Sequence, residues 1–226
     1  MLRKKLSKQR HFVLEQSLRT EYLDSLFPGI LQQFDPQTVQ YNGGRANLKQ
    51  WKISCYLEVM QGGIPCTNPN VALLSTMRPL LDTCDLLFKL WYKQQHACND
   101  EILGEGKVIR MMTFITRYTS TPGEQALLKH VDGAGKVDGS VIVPLPIDRW
   151  SGPEEDNSFE GYGGGLTVWD GKDENGRPQE INYDIRSGDI VFIDRAVWHQ
   201  GEFNHFQDKF FSFLKSLVCN SMAPSF

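Results

Sequence analysis

The chain has 226 residues and 25.8 kDa, a formal net charge of −3 at pH 7, 40% hydrophobic and 23% charged residues. Those proportions belong to a globular chain able to bury roughly 70% of its unfolded surface, and they exclude disorder, collagen and coiled coil. The longest apolar runs, such as Val141-Ile142-Val143, fall far short of a membrane span, so no membrane partner is expected.

The N-terminus is charged from Arg3 onward and has no apolar core region, so no secretory signal is expected. Cys55, Cys66, Cys84, Cys98 and Cys219 are odd in number and irregularly spaced. They predict reduced thiols and a cytoplasmic protein rather than a disulfide framework. Arg3, Lys4, Lys5, Lys8 and Arg10 concentrate basic charge at the start, leaving the body more acidic than the net figure suggests. The body's field therefore argues against a nucleic-acid partner, and the basic start reads as a solvated helix end or a disordered tail in preference to a phosphate-seeking arm.

In chain order, Phe12, Leu14, Leu18, Tyr22 and Leu26 predict one amphipathic helix ending near Phe27-Pro28-Gly29. A Gly/Asn/Pro-rich connection follows, including Asn42-Gly43-Gly44 and Gly62-Gly63-Ile64-Pro65. A second helix is expected over about 71–95, where Leu80, Leu81, Cys84, Leu87, Phe88 and Trp91 form an apolar stripe; Pro79 is read as a helix start or a kink. From about Lys107 the period changes to two. Strands are expected near 108–118, 126–131, 139–147, 165–169, 181–185, 189–194, 197–202 and 208–218, separated by turn signals such as Asp132-Gly133, Asn175-Gly176 and Ser187-Gly188. Gly163-Gly164-Gly165 is read as a turn and not a phosphate cradle. This many short strands indicate a jelly roll or another β-sandwich. The fold class is therefore α+β and mainly β. Residues 1–226 are taken as one catalytic domain, with 1–106 a mostly helical N-terminal support and 107–218 the β core.

His130-Val131-Asp132 carries the chemistry. Residues i and i+2 of a strand share a face, so this imidazole and carboxylate can converge on one ion. His199 stands just past the apolar run Ile190-Val191-Phe192-Ile193. Two histidines and one carboxylate are the facial triad of non-haem Fe(II), which leaves positions open for other ligands. Lys209, expected on the last strand, reads either as a solvated strand lysine or as an ammonium that pairs with a carboxylate in a partly dry pocket.

Over about residues 107–218 the chain resembles the Fe(II)/2-oxoglutarate-dependent dioxygenases, particularly their prolyl-hydroxylase-like branch. The resemblance rests on Arg117-Tyr118, His130-Val131-Asp132, the run from Leu145 to Trp150, and Gly163 to Trp169. Ser187-Gly188-Asp189-Ile190-Val191-Phe192, His199 and Lys209 complete it. It implies a double-stranded β-helix (jelly roll) core flanked by N-terminal helices, with His130, Asp132 and His199 holding Fe(II). It further implies Lys209 on the far carboxylate of 2-oxoglutarate, O2 as co-substrate and ascorbate as an optional reductant. The branch often has tyrosines where this chain has Leu127 and Leu145. Tyr118 is therefore the first candidate for the hydroxyl that assists Lys209, and Thr167 the second. Halogenases of this superfamily replace the carboxylate by a small residue; Asp132 is intact, which implies oxygenation.

Asp148 to Gly165 is a polar insertion in which Glu154, Glu155, Asp156 and Glu160 stand beside Trp150, Phe159 and Tyr162. It reads either as a lid that selects an amine-bearing substrate or as a solvated loop. Arg195, Trp198 and Trp150 are candidate pocket or substrate residues, with packing the rival role for Trp198. His96-Ala97-Cys98, His11 and His205 show no partner pattern. The function expected is oxidation of an unactivated C–H bond, by hydroxylation, of an amino acid or other small metabolite. The alternatives are a protein or peptide prolyl hydroxylase of the same mechanism, an iron oxidase that does not use 2-oxoglutarate, and a cupin-like metal-binding module.

Overall fold

The computed structural model describes residues 10–33, 52–61, 64–67, 71–95, 107–118, 126–132, 137–145, 163–202 and 211–221. In chain order these form β1 (His11–Leu14), α1 (Thr20–Gln33), β2 (Lys52–Gln61), β3 (Ile64–Thr67), α2 (Val71–Gln95) and β4 (Lys107–Tyr118). There follow β5 (Ala126–His130), β6 (Gly139–Leu145), β7 (Gly163–Trp169), β8 (Glu180–Arg186), β9 (Ile190–Asp194), β10 (Trp198–Glu202) and β11 (Phe211–Ser221).

The strands make two antiparallel sheets. One has seven strands in the order β1-β9-β6-β11-β4-β2-β3, and the other has four in the order β5-β10-β7-β8. From β4 onward the chain moves from sheet to sheet: β4, β6, β9 and β11 join the large sheet, and β5, β7, β8 and β10 the small one. Antiparallel pairing with this alternation is a double-stranded β-helix, the jelly roll expected from the period-two segments. Among the described residues no helix is long and apolar enough to cross a membrane.

Strand periodicity divides the core in two. On the large sheet, Val141, Val143, Ile190 and Phe192 pack towards the helices, against Leu23, Leu26, Ile30, Met77, Leu81 and Phe88. The residues that alternate with them, Ile142, Val191 and Ile193, point the other way and meet Leu166, Val168 and Ile185 of the small sheet. β6 and β9 are thus buried on both faces, which is why they read as unbroken apolar runs. Gly139 at the start of β6 permits the closest approach: a Cβ there would lie 2.5 Å from Ile193 O and 2.9 Å from Phe88 Cε2.

The first hundred residues differ from expectation in three places. The helix expected from Phe12 begins only at Thr20. His11–Leu14 is instead an edge strand, paired from His11↔Ile193 to Leu14↔Ile190. Four strand residues are too few to display a period, and Phe12 and Leu14 happen to fall in step with the helix that follows. α1 also runs on past Pro28 to Gln33, because Leu23, Leu26 and Ile30 bury one face on the core. The connection read as Gly/Asn/Pro-rich contains β2 and β3, a hairpin with Gln61 paired to Ile64. α2 spans 71–95 as expected and passes through Pro79 without starting there. Gly163-Gly164-Gly165, read as a turn, opens β7 and pairs with Arg186, Ile185 and Asp184.

Candidate metal centre

β5 and β10 are neighbours in the small sheet, and their register sets His199 directly opposite His130. Cross-strand partners share a face, so the two imidazoles meet with ring centroids 4.4 Å apart and planes at 50°. Asp132 lies two residues beyond His130, just past the end of β5. Its Oδ1 is 3.5 Å from His130 Nε2 and its Oδ2 3.4 Å from His199 Nε2. One donor atom from each of the three residues falls within 4.8 Å of the others, the one such cluster of three among the described residues.

Local contacts fix the orientation of this set. His199 is buried, and its Nδ1 lies 3.1 Å from Val197 O. A carbonyl only accepts, so Nδ1 carries the proton and Nε2 turns its lone pair towards Asp132, the tautomer a metal ligand needs. Asp132 accepts a hydrogen bond at Oδ2 from Ser140 Oγ on β6, which ties the small sheet to the large one beside the cluster. Val168 of β7 is in register with His199 on the other side and fully buried, giving the site an apolar flank. His130 is 31% exposed against 2% for His199, so the cluster opens on the β5 side. Two imidazole nitrogens and a carboxylate with access from one direction form the donor set of a non-haem Fe(II) site, and the residues fit that ion.

The other expected site residues are placed less favourably. Thr167 is in register with Gln200 and Asn182, one step from Val168, so alternation puts it on the face opposite His199; its hydroxyl donates to Asn182 Oδ1 at 2.7 Å. Trp198 is displaced from His199 by the same step. It is 49% exposed and paired with Trp169, over whose ring Lys129 Nζ sits 3.7 Å from the centroid. Neither residue is brought to the ligand set. Arg195 is exposed in the turn between β9 and β10, with Nη1 3.5 Å from Asp138 Oδ1. Tyr118 pairs through its backbone with Phe211 and Lys52, and its side chain lies outside the described residues. Lys209, Trp150, the acidic stretch from Glu154 to Glu160, His96, Cys98 and His205 also lie outside them.

Two polar residues have partners that the sequence does not signal: Ser140, and His11, for which no partner pattern was expected. Ser140 sits at the head of an apolar strand, where a lone serine in a buried run is the only signal. His11 is buried, with Nε2 2.8 Å from Tyr183 Oη and Nδ1 3.3 Å from Asp170 Oδ2. Burial pushes the His11 pKa down; Asp170 opposes the shift and Arg10 adds to it. Burial alone would raise Asp170, but two hydrogen bonds from the Arg10 guanidinium to Oδ1, at 2.8 and 2.6 Å, help hold it below the usual carboxylate range. Tyr183 lies 172 residues from His11 in sequence, so no local pattern could reveal the pair.

No family model matches the sequence, and no curated protein does. Solved structures do match. A Pseudomonas putida prolyl-4-hydroxylase is 13% identical, with 97% of each chain covered and a TM-score of 0.55. The chain has the fold of the 2-oxoglutarate–Fe(II) oxygenases. A non-heme alpha ketoglutarate dependent epimerase, SnoN from nogalamycin biosynthesis, is 10% identical over 97% of this chain and 83% of its own, with a TM-score of 0.60. A Trichoplax adhaerens prolyl hydroxylase, in complex with a hypoxia inducible factor peptide fragment, is 14% identical over 96% and 87%, with a TM-score of 0.54.

Proposed function

We propose that this protein is an Fe(II)- and 2-oxoglutarate-dependent oxygenase that hydroxylates an unactivated C–H bond of an amino acid or other small metabolite. The observation that carries this reading is the convergence of His130, Asp132 and His199 across β5 and β10 in a jelly roll of the oxygenase type. Bound there with 2-oxoglutarate and O2, Fe(II) would supply the oxidising chemistry, with succinate and carbon dioxide as co-products.

The chain's own residues do the rest. His130, Asp132 and His199 would each give one donor, and three donors leave positions for co-substrate and O2. Val197 O holds the proton of the neutral His199 ring on Nδ1, leaving Nε2 as the donor, and the apolar flank at Val168 excludes water from the buried side. Lys209 pairs with the far carboxylate of 2-oxoglutarate, assisted by Tyr118. Lys209→Ala should raise the KM for 2-oxoglutarate. We further infer that residues 1–226 act as one catalytic unit, which the pairing of β1 with β9 supports. A cytoplasmic site of action accords with the free, buried Cys84.

The deciding experiment is a succinate-release screen against amino acids, metabolites and proline-containing peptides, with an iron-free control. Substrate-dependent succinate is expected from an amino acid or metabolite. His199→Ala should abolish it, and full turnover by that variant would reject the assignment. The prolyl hydroxylases among the structural neighbours favour peptides as the second reading, and a response confined to the peptide arm would replace the first.

A further inference from the structure

Asp132 and Ser140 belong to opposite layers of the jelly roll. Asp132 follows β5 of the four-stranded sheet, and Ser140 is the second residue of β6 in the seven-stranded one. Ser140 is 0% exposed and Asp132 8%. Ile142, two residues after Ser140, packs in the inter-sheet cluster, so alternation turns Ser140 towards the same interior. Ser140 Oγ donates a hydrogen bond to Asp132 Oδ2.

The two carboxylate oxygens of Asp132 face different imidazoles, Oδ1 towards His130 and Oδ2 towards His199. A carboxylate in that position can hold a divalent ion through one oxygen or through both. The second mode uses a further coordination position, which the proposed reaction needs for its co-substrates. A hydroxyl fixed on the large sheet and bonded to Oδ2 restrains rotation of the carboxylate and draws electron density from that oxygen. It thereby favours coordination through Oδ1.

We propose that Ser140 is a positioning residue that holds Asp132 to one-oxygen coordination of a divalent ion at the His130–Asp132–His199 site. This rests on the metal-centre reading made under the proposed function. Outer contacts of this kind carry a measurable share of metal affinity, because a ligand left free to rotate must be ordered when the ion binds.

The test is anaerobic Co(II) titration of the purified full chain, followed by calorimetry and by the visible d–d bands, without substrate. Ser140→Ala should weaken Co(II) binding by about 10–100-fold, while Ser140→Thr, which keeps the hydroxyl, stays within about threefold of wild type. At saturating Co(II), the d–d bands of Ser140→Ala should also shift in energy and intensity as a second carboxylate oxygen replaces a water ligand, a change that loss of packing would not cause. Wild-type affinity and spectrum in Ser140→Ala would overturn the proposal. So would equal losses in both variants accompanied by lower melting temperatures of the metal-free proteins, which would mark Ser140 as a packing residue. A wild-type chain that takes up no Co(II) would instead overturn the metal-centre reading, and the inference with it.

Discussion

The two faces of the large sheet have taken on different work. The face towards α1 and α2 is close-packed and apolar: Phe88 stacks on Tyr92 with centroids 5.6 Å apart, and Trp91 on Phe192 at 5.7 Å. The face towards the small sheet is also buried but carries polar groups, with Ser140 on Asp132 and, at the β1 edge, His11 on Tyr183. Buried polar groups add little net stability even when paired, whereas each large apolar side chain adds several kcal/mol. One face therefore supplies stability, which lets the other hold ionisable groups in fixed positions.

Substitutions on the two faces should consequently fail in different ways. Phe88→Ala on the helix face is expected to cost about 3–5 kcal/mol, read as a fall in the denaturation midpoint. Its remaining folded fraction should still take up Co(II), and loss of metal uptake before loss of fold would break the comparison. Gly139→Ala probes the junction of the faces. Its Cβ would run into Ile193 O and Phe88, so about 1–3 kcal/mol of destabilisation is expected by the same measurement. Wild-type stability in that variant would show that β6 and β9 have room to separate.

The smallest effect belongs to the polar face and depends on pH. Burial lowers the His11 pKa in the folded state below its ordinary value of 6.5. The unfolded chain then binds more protons, so the stability contributed by neutral His11 is fully present above pH 6.5 and is lost as pH falls towards the folded value. Melting temperatures measured from pH 7.5 to 5 should fall more steeply for wild type than for His11→Gln. Parallel curves would show that His11 binds protons equally in both states, with no lowering on folding.

What the sequence disclosed follows from the range over which each signal acts. The strands from Lys107 onward were legible from alternation, as in β8, or from short unbroken apolar runs between turn signals, as in β6 and β9, and the pair His130 and Asp132 because two residues of spacing bring both to one place. His199 was legible because it closes a buried apolar run. β1 was not, because four residues cannot show a period and Phe12 and Leu14 also fit a helix. Thr167 was a candidate hydroxyl for 2-oxoglutarate and Trp198 a candidate pocket or packing residue; each lies one residue out of step with the paired positions His199 and Val168, and only that pairing reveals the parity. Ser140 and His11 act through partners that the fold alone brings near.

The short β1 has a practical consequence for anyone trimming or tagging this protein. It caps the outer side of β9, whose five residues are all buried, and it is held at its start by Arg10 on Asp170. Cutting the chain beyond Arg10, or fusing a bulky partner there, would bare an apolar ladder of unpaired amides and carbonyls, an invitation for a second molecule to add its own strand and begin aggregation.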